Sequence, residues 1–162
     1  MIILITGASG SGKTTILKAI EQQLPENQIS VNYFDDIGVP SSEAMIAQYG
    51  SCEKWQEAMT HKWIEKLAKI TYKEFIFLEG SFNPEFAKHY SLLICIHADI
   101  AIREERLITL RNQPELATQD MENFAQMLKN NTLKMGGIVI DSSMKKADII
   151  AGEIIDLIRN KL

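Results

Sequence analysis

Cysteine is nearly absent from this chain: Cys52 and Cys95 are the only two in 162 residues. There is no second pair to build a disulfide framework or a zinc site. Both lie in apolar surroundings and are expected as buried thiols. Basic charge is not in excess either. The 17 Lys and Arg residues against 21 Asp and Glu leave a formal net charge of −4. That balance argues against broad attachment to nucleic acid or to an acidic membrane surface, although a local basic cleft fits within an acidic total. No apolar run approaches the roughly 20 residues of a membrane-spanning helix. Met1 leads straight into the apolar run Ile2–Ile5 with no basic segment or cleavage site, so no secretory leader is expected and the cytoplasm is the expected location. Linkers, repeats and low-complexity tracts are missing as well. What remains is ordinary for a globular protein, 46% hydrophobic and 23% charged. It is long enough to bury a sizeable core, as one domain over residues 1–162.

Hydrophobic patterning predicts five short strands alternating with helices. The apolar runs Ile2–Ile5, Phe75–Leu78, Leu92–Ile96 and Ile138–Ile140 read as strands buried on both faces, with a further strand over Ile29–Phe34. Between them, Thr14–Leu24 carries helical periodicity and is closed by Pro25. Pro40-Ser41-Ser42 opens a helical stretch. From Glu53, the residues Trp55, Met59, Trp63, Leu67 and Ile70 mark one face of a long helix reaching about Thr71. Ile100–Arg111 reads as helical and breaks at Asn112-Gln113-Pro114. Thr118 caps a further helix, with Asp120 and Glu122 in its first turn, and Gly136-Gly137 ends it. A closing helix runs through Ile149, Ile150, Ile154, Ile155 and Ile158. Strands and helices in alternation predict an α/β fold, a five-stranded parallel sheet with helices on both faces.

The most informative segment is Gly7-Ala8-Ser9-Gly10-Ser11-Gly12-Lys13-Thr14, which satisfies G-x-x-x-x-G-K-[ST] in full and continues into Thr15. A buried strand precedes it and a periodic helix follows, as a phosphate-cradling loop requires. Glycines let the backbone curl so that successive N–H groups face phosphate oxygens. The helix that begins there turns its positive end on the same anion. Lys13 is the residue to reach the β and γ phosphates, and the Thr14 hydroxyl is a hard oxygen suited to magnesium. A plain Gly/Ser-rich turn would not need lysine and threonine at those places. Residues Gly7–Thr15 are therefore the expected site for a nucleoside triphosphate with magnesium. No N-K-x-D segment is present to read guanine, and no D-x-x-G follows the third strand, which leaves ATP as the expected donor.

Beyond this loop, an acidic pair Asp35-Asp36 ends the second strand and Phe75–Ser81 reads FIFLEGS. Arg103, Arg106 and Arg111 follow the fourth strand, and Asp141-Ser142-Ser143 follows the fifth. With GASGSGKTT at the N-terminus, these features resemble the small P-loop kinases, the group that holds nucleoside and nucleotide kinases, shikimate and gluconate kinases and chloramphenicol phosphotransferase. The resemblance implies a three-layer P-loop NTPase fold and phosphoryl transfer from ATP to a small-molecule acceptor. It also implies that the helical region about 41–71 covers the acceptor and that a short lid-like region lies at about 99–135. Glu79-Gly80-Ser81-Phe82-Asn83-Pro84 stands where nucleotide kinases often carry D-G-x-P-R, so the acceptor stays unassigned.

In an open parallel sheet, ligands sit beyond the carboxyl ends of the strands, here at Gly7, Asp35, Glu79, His97 and Asp141. Asp35 is the candidate to orient the acceptor hydroxyl, with Asp36 as the alternative one register away. Both also suit a turn. Glu79 is the candidate to touch magnesium through water or to act as the acceptor base, against a plain capping role. Arg103, Arg106 and Arg111 are candidates to neutralise the transferring phosphoryl group, or else form a solvated face with Asp99, Glu104 and Glu105. Trp55 and Trp63 are expected in the core. His61 and His89 are expected at the surface and His97 in a structural role. Asp141-Ser142-Ser143 either neighbours the base or caps the last helix. No nucleic-acid or membrane partner is expected. An oligomer is left open, because the stripe from Trp55 to Ile70 suits a core or a subunit contact. The leading functional expectation is a magnesium- and ATP-dependent small-molecule kinase. The alternative is a regulatory ATPase that uses bound nucleotide as a switch without a small-molecule acceptor.

Overall fold

The computed structural model describes residues 1–161. Five parallel strands, β1 (Ile2–Thr6), β2 (Ile29–Tyr33), β3 (Phe75–Gly80), β4 (Leu92–His97) and β5 (Ile138–Asp141), form one sheet in the order β2-β3-β1-β4-β5. Side chains alternate across the pleat and so divide the core in two. Ile3, Ile5, Phe77 and Ile94 face α1 (Lys13–Gln23) and α6 (Ala147–Arg159). Leu4, Ile76, Leu78 and Leu93 face α3 (Cys52–Leu67), which brings Trp55, Met59, Trp63 and Leu67. Between β2 and α3 lies α2 (Ser42–Tyr49), and α4 (Ile100–Glu105) and α5 (Gln119–Lys134) follow β4. The result is the three-layer α/β arrangement that alternating apolar runs predict.

Register decides what meets at the sheet's carboxyl edge. Glu79 lies beside both Ile5 and Tyr33, Gly80 beside Thr6, and His97 beside Asp141. The residues just past β1, β2 and β3 therefore leave the sheet at one level. The chain turns α1 sharply there. Gly12, with φ 91°, precedes its first residue and offers no side-chain cap, whereas Ser41, Ser51 and Thr118 cap α2, α3 and α5.

Several local expectations change. The helix read from Glu53 to Thr71 begins at Cys52 and ends at Leu67. Beyond it, the amides of Lys69 and Ile70 bond three residues back, to Lys66 and Leu67, which tightens the end and tucks in half-buried Ile70. Cys52 is exposed rather than buried, because the first position of α3 faces solvent while Trp55, three residues on, faces the sheet. Cys95, inside β4, is buried as expected, and burial pushes its thiol up to about 11. The Trp55 stripe packs on the chain's own sheet, so it is core.

The largest departure is in 100–111. After Glu105 the helix widens into a π turn over Arg106–Leu110, closed by the Arg111 amide on the Arg106 carbonyl. In a regular α-helix, positions five apart diverge by about 140°. The i to i+5 closure stacks them instead, and such turns recur at functional sites.

Candidate active site

The phosphate loop is held from three sides. Gly7 sits so close to β4 that a Cβ there would lie 2.3 Å from the Ile96 carbonyl oxygen, which only glycine permits. The Ser81 hydroxyl, just past β3, donates to the Gly7 carbonyl at 2.9 Å. The Ser142 hydroxyl, just past β5, donates to the Ser11 carbonyl at 2.6 Å. The Ala8 carbonyl accepts from the Ser11 amide at 3.2 Å.

Lys13 is buried at the first turn of α1. Its Nζ lies 3.3 Å from both the Ala8 carbonyl oxygen and Ser81 Oγ, and 3.8 Å from Glu79 Oε1. Burial lowers the Lys13 ammonium below the ordinary lysine value, and the Glu79 charge opposes that shift. Burial likewise raises the Glu79 carboxyl, opposed by Lys13 and by the Thr14 hydroxyl, which donates to Glu79 Oε2 at 3.1 Å. Each group is thus only partly compensated by its partner.

Two chambers open on this cluster. The larger, about 510 Å³, is lined by Gly10, Gly12, Thr15, Arg106, Leu110 and Ser142 among others. The smaller, about 210 Å³, is lined by Ser9, Tyr33, Phe34, Asp35, Glu79 and Ser81. Lys13, Thr14 and Arg111 line both. Asp35 and Asp36 leave β2 in a 3-10 turn, Phe34–Ile37, that points Asp35 into the smaller chamber. Asp36 is exposed and does not line it. Phe34 fixes this turn. Its ring stacks on Phe82 at 5.5 Å and meets Trp55 edge-on at 6.1 Å. Its carbonyl accepts from Trp63 Nε1 at 3.0 Å.

The three arginines part company. Arg103, buried, pairs with Glu122 at the start of α5 and lines neither chamber. The expectation that it faces the transferring group is corrected: its side chain ties α4 to α5. Arg106 donates to the Gly10 carbonyl at 3.2 Å, and to the Ser142 hydroxyl and carbonyl at 3.2 and 2.7 Å. It thereby clamps the phosphate loop to the turn after β5. Arg111 enters none of the ion pairs among the described residues. It reaches both chambers because the π turn stacks it on Arg106.

Ser81 and Tyr33 received no role from the sequence. Ser81 was visible as the last residue of FIFLEGS and within the Glu79–Pro84 segment, and Tyr33 as one residue of an apolar strand. Asp141 does not cap α6, whose first residue is Ala147. Its carboxylate accepts from the Ser143 amide at 2.7 Å, and Ser143 holds it below the usual carboxylate range. His97 is buried at the end of β4, outside both chambers. His89 is exposed and His61 half-buried.

Magnesium is the metal that a phosphate loop of this kind implies, and the residues fit it. Thr14 Oγ1 and Glu79 Oε2 are adjacent hard oxygens, and burial disfavours the Glu79 charge more than its neighbours restore it. No group of three or more His, Cys, Asp or Glu able to hold a metal occurs among the described residues. The pair would therefore act with phosphate oxygens and water, as magnesium sites do.

The chain has the fold of the small P-loop kinases. The family profile of adenylylsulphate kinase matches residues 1–42, from β1 through the acidic turn. No curated protein matches the chain in sequence. Among solved structures, shikimate kinase from Acinetobacter baumannii, in complex with shikimate, superposes with a TM-score of 0.66 at 15% identity, covering 98% of this chain and 93% of that one. Thymidylate kinase from Candida albicans gives 0.64 at 15% identity, with 98% and 91% covered. Shikimate kinase from Bacteroides thetaiotaomicron gives 0.61 at 15% identity, with 98% of each chain covered. At such identity the likeness is one of fold. No helix among the described residues is long and apolar enough to cross a membrane.

Proposed function

We propose that this protein is a magnesium- and ATP-dependent small-molecule kinase, acting in the cytoplasm. One observation carries the reading: two chambers, each large enough for a small molecule, meet at Lys13, Thr14 and Arg111. Phosphoryl transfer needs a donor and an acceptor on either side of the transferring group, with cations at their junction. A nucleotide switch has no use for the second chamber.

The larger chamber takes ATP. The backbone of residues Gly7–Thr15 cradles its phosphates, and Leu110 and Ser142 line the same chamber. Thr14 and Glu79 would hold magnesium, whose charge would offset that of the β and γ phosphates. The smaller chamber takes the acceptor, beneath the region about 41–71. Asp35 accepts the proton of the acceptor hydroxyl as that oxygen bonds to the γ phosphorus and the β–γ bridge breaks, releasing ADP. Lys13 and Arg111 neutralise the transferring group. Arg106, which lines the larger chamber, keeps the loop in shape through the Gly10 carbonyl and Ser142. The segment about 99–135, which carries Arg111, serves as a short lid.

The test is ADP release from Mg-ATP against nucleosides, nucleoside monophosphates, sugars, sugar acids and shikimate-like alcohols, with Lys13→Ala as the blank. A rise of at least about a hundredfold with one class, lost in the blank, is the expected result. Lys13-dependent ATP binding with no acceptor that speeds turnover would sink the kinase reading and bring the switch forward.

A further inference from the structure

Resting on that phosphoryl-transfer reading, we infer that the acceptor is an uncharged hydroxyl compound, of monosaccharide to nucleoside size, and that alcohols bearing a carboxylate or a phosphate are rejected. The charges of the smaller chamber carry this. Its cations are Lys13 and Arg111, and both also line the larger chamber, where the phosphates of ATP claim them. No other Lys, Arg or His lines the smaller chamber among the described residues. Nearby cations do not fill the gap. Lys54 and Lys62 on α3 are exposed and line neither chamber. Lys134 is paired with Glu85 at 2.6 Å.

The charge left facing the acceptor is Asp35, which enters none of the ion pairs among the described residues. Glu79, the other acid in the chamber wall, is buried and accepts from the Thr14 hydroxyl. An acceptor carrying its own anion would give up water for a site that offers it no free cation and sets a carboxylate against it. A hydroxyl group meets the opposite situation. Asp35 accepts from it, and Ser9 and Ser81 lie in the same wall. Tyr33 and Phe34 add an aromatic side, with Phe34 held rigid by Phe82 and Trp55. A ring with several hydroxyls fits such a wall.

The experiment uses acceptors matched in shape and differing in charge: a nucleoside and its 5′-monophosphate, a hexose and its uronic acid, and a cyclitol and a shikimate-like hydroxy acid. ADP release from Mg-ATP is read for the wild-type protein, alongside ATP binding. The expected result is that the uncharged member of at least one pair is turned over, with kcat/KM at least about a hundredfold above its anionic partner. Preference for an anionic member overturns the inference while the kinase reading stands. ATP binding with no member turned over overturns both.

Discussion

At the scale of single residues, the site sets two buried charges, Lys13 and Glu79, where water screens them little. The Lys13 ammonium is buried, and burial works against its charge. Its direction therefore depends on a few neutral acceptors and one acid. Ser81 is the least obvious of these, because its hydroxyl serves Lys13 and the Gly7 carbonyl together. Ser81→Ala should lower kcat about tenfold while ATP affinity stays within about threefold, since a loosened Lys13 costs more when charge moves than when it rests. Ser81→Thr, which keeps the hydroxyl, should retain most of the rate. Steady-state kinetics with direct nucleotide titration separates the two effects. An equal loss in affinity and kcat would give Ser81 a merely structural role.

At the scale of elements, helices here carry side chains to distances their own sequence does not state. The long helix α3 reaches the site through two hydrogen bonds, from the Gln56 amide to the Ser81 carbonyl and from the Trp63 indole to the Phe34 carbonyl, and the second sets the turn that presents Asp35. Trp63→Phe keeps an aromatic ring, though a smaller one, and leaves that carbonyl without its donor. It should cost about 1–3 kcal/mol in urea denaturation and raise the acceptor KM with little change in the KM for ATP. The π turn after α4 acts in the same way, since it brings Arg111 over the junction. Periodicity could not show this: the residues Arg106–Leu110 read as regular helix, and the wide turn lies against the phosphate loop, where Gly10 leaves room for the Arg103 backbone. A Cβ at Gly10 would lie 3.0 Å from that carbonyl oxygen.

At the scale of the whole molecule, the carboxyl edge of the sheet gathers charge that is not all used for chemistry. His97 lies there among Lys129 and Glu122 of α5, Arg103 of α4 and Asp141 of β5. Burial first, and then Lys129, lowers its value below 6.5. The folded protein thus disfavours the charged imidazole, and the unfolded chain binds the proton more readily. Stability from this source is full above pH 6.5 and is lost as pH falls toward the lowered folded value. Urea midpoints should fall between pH 8 and pH 5.5 in the wild type and fall less in His97→Gln. Equal slopes would show that other groups govern the acid side. The sequence by itself determined the parallel α/β sheet, because apolar strands long enough to bury both faces tolerate few other partners. It also determined the phosphate loop, because glycines, lysine and threonine at fixed spacing answer a local demand. Tertiary structure alone decided that Asp35 and not Asp36 faces the chamber, that Arg103 is spent on Glu122 while Arg111 reaches the junction, and that Ser81 supports Lys13. Those outcomes depend on strand register, on one widened turn and on contacts between residues far apart in the chain, none of which has a period or a spacing to read.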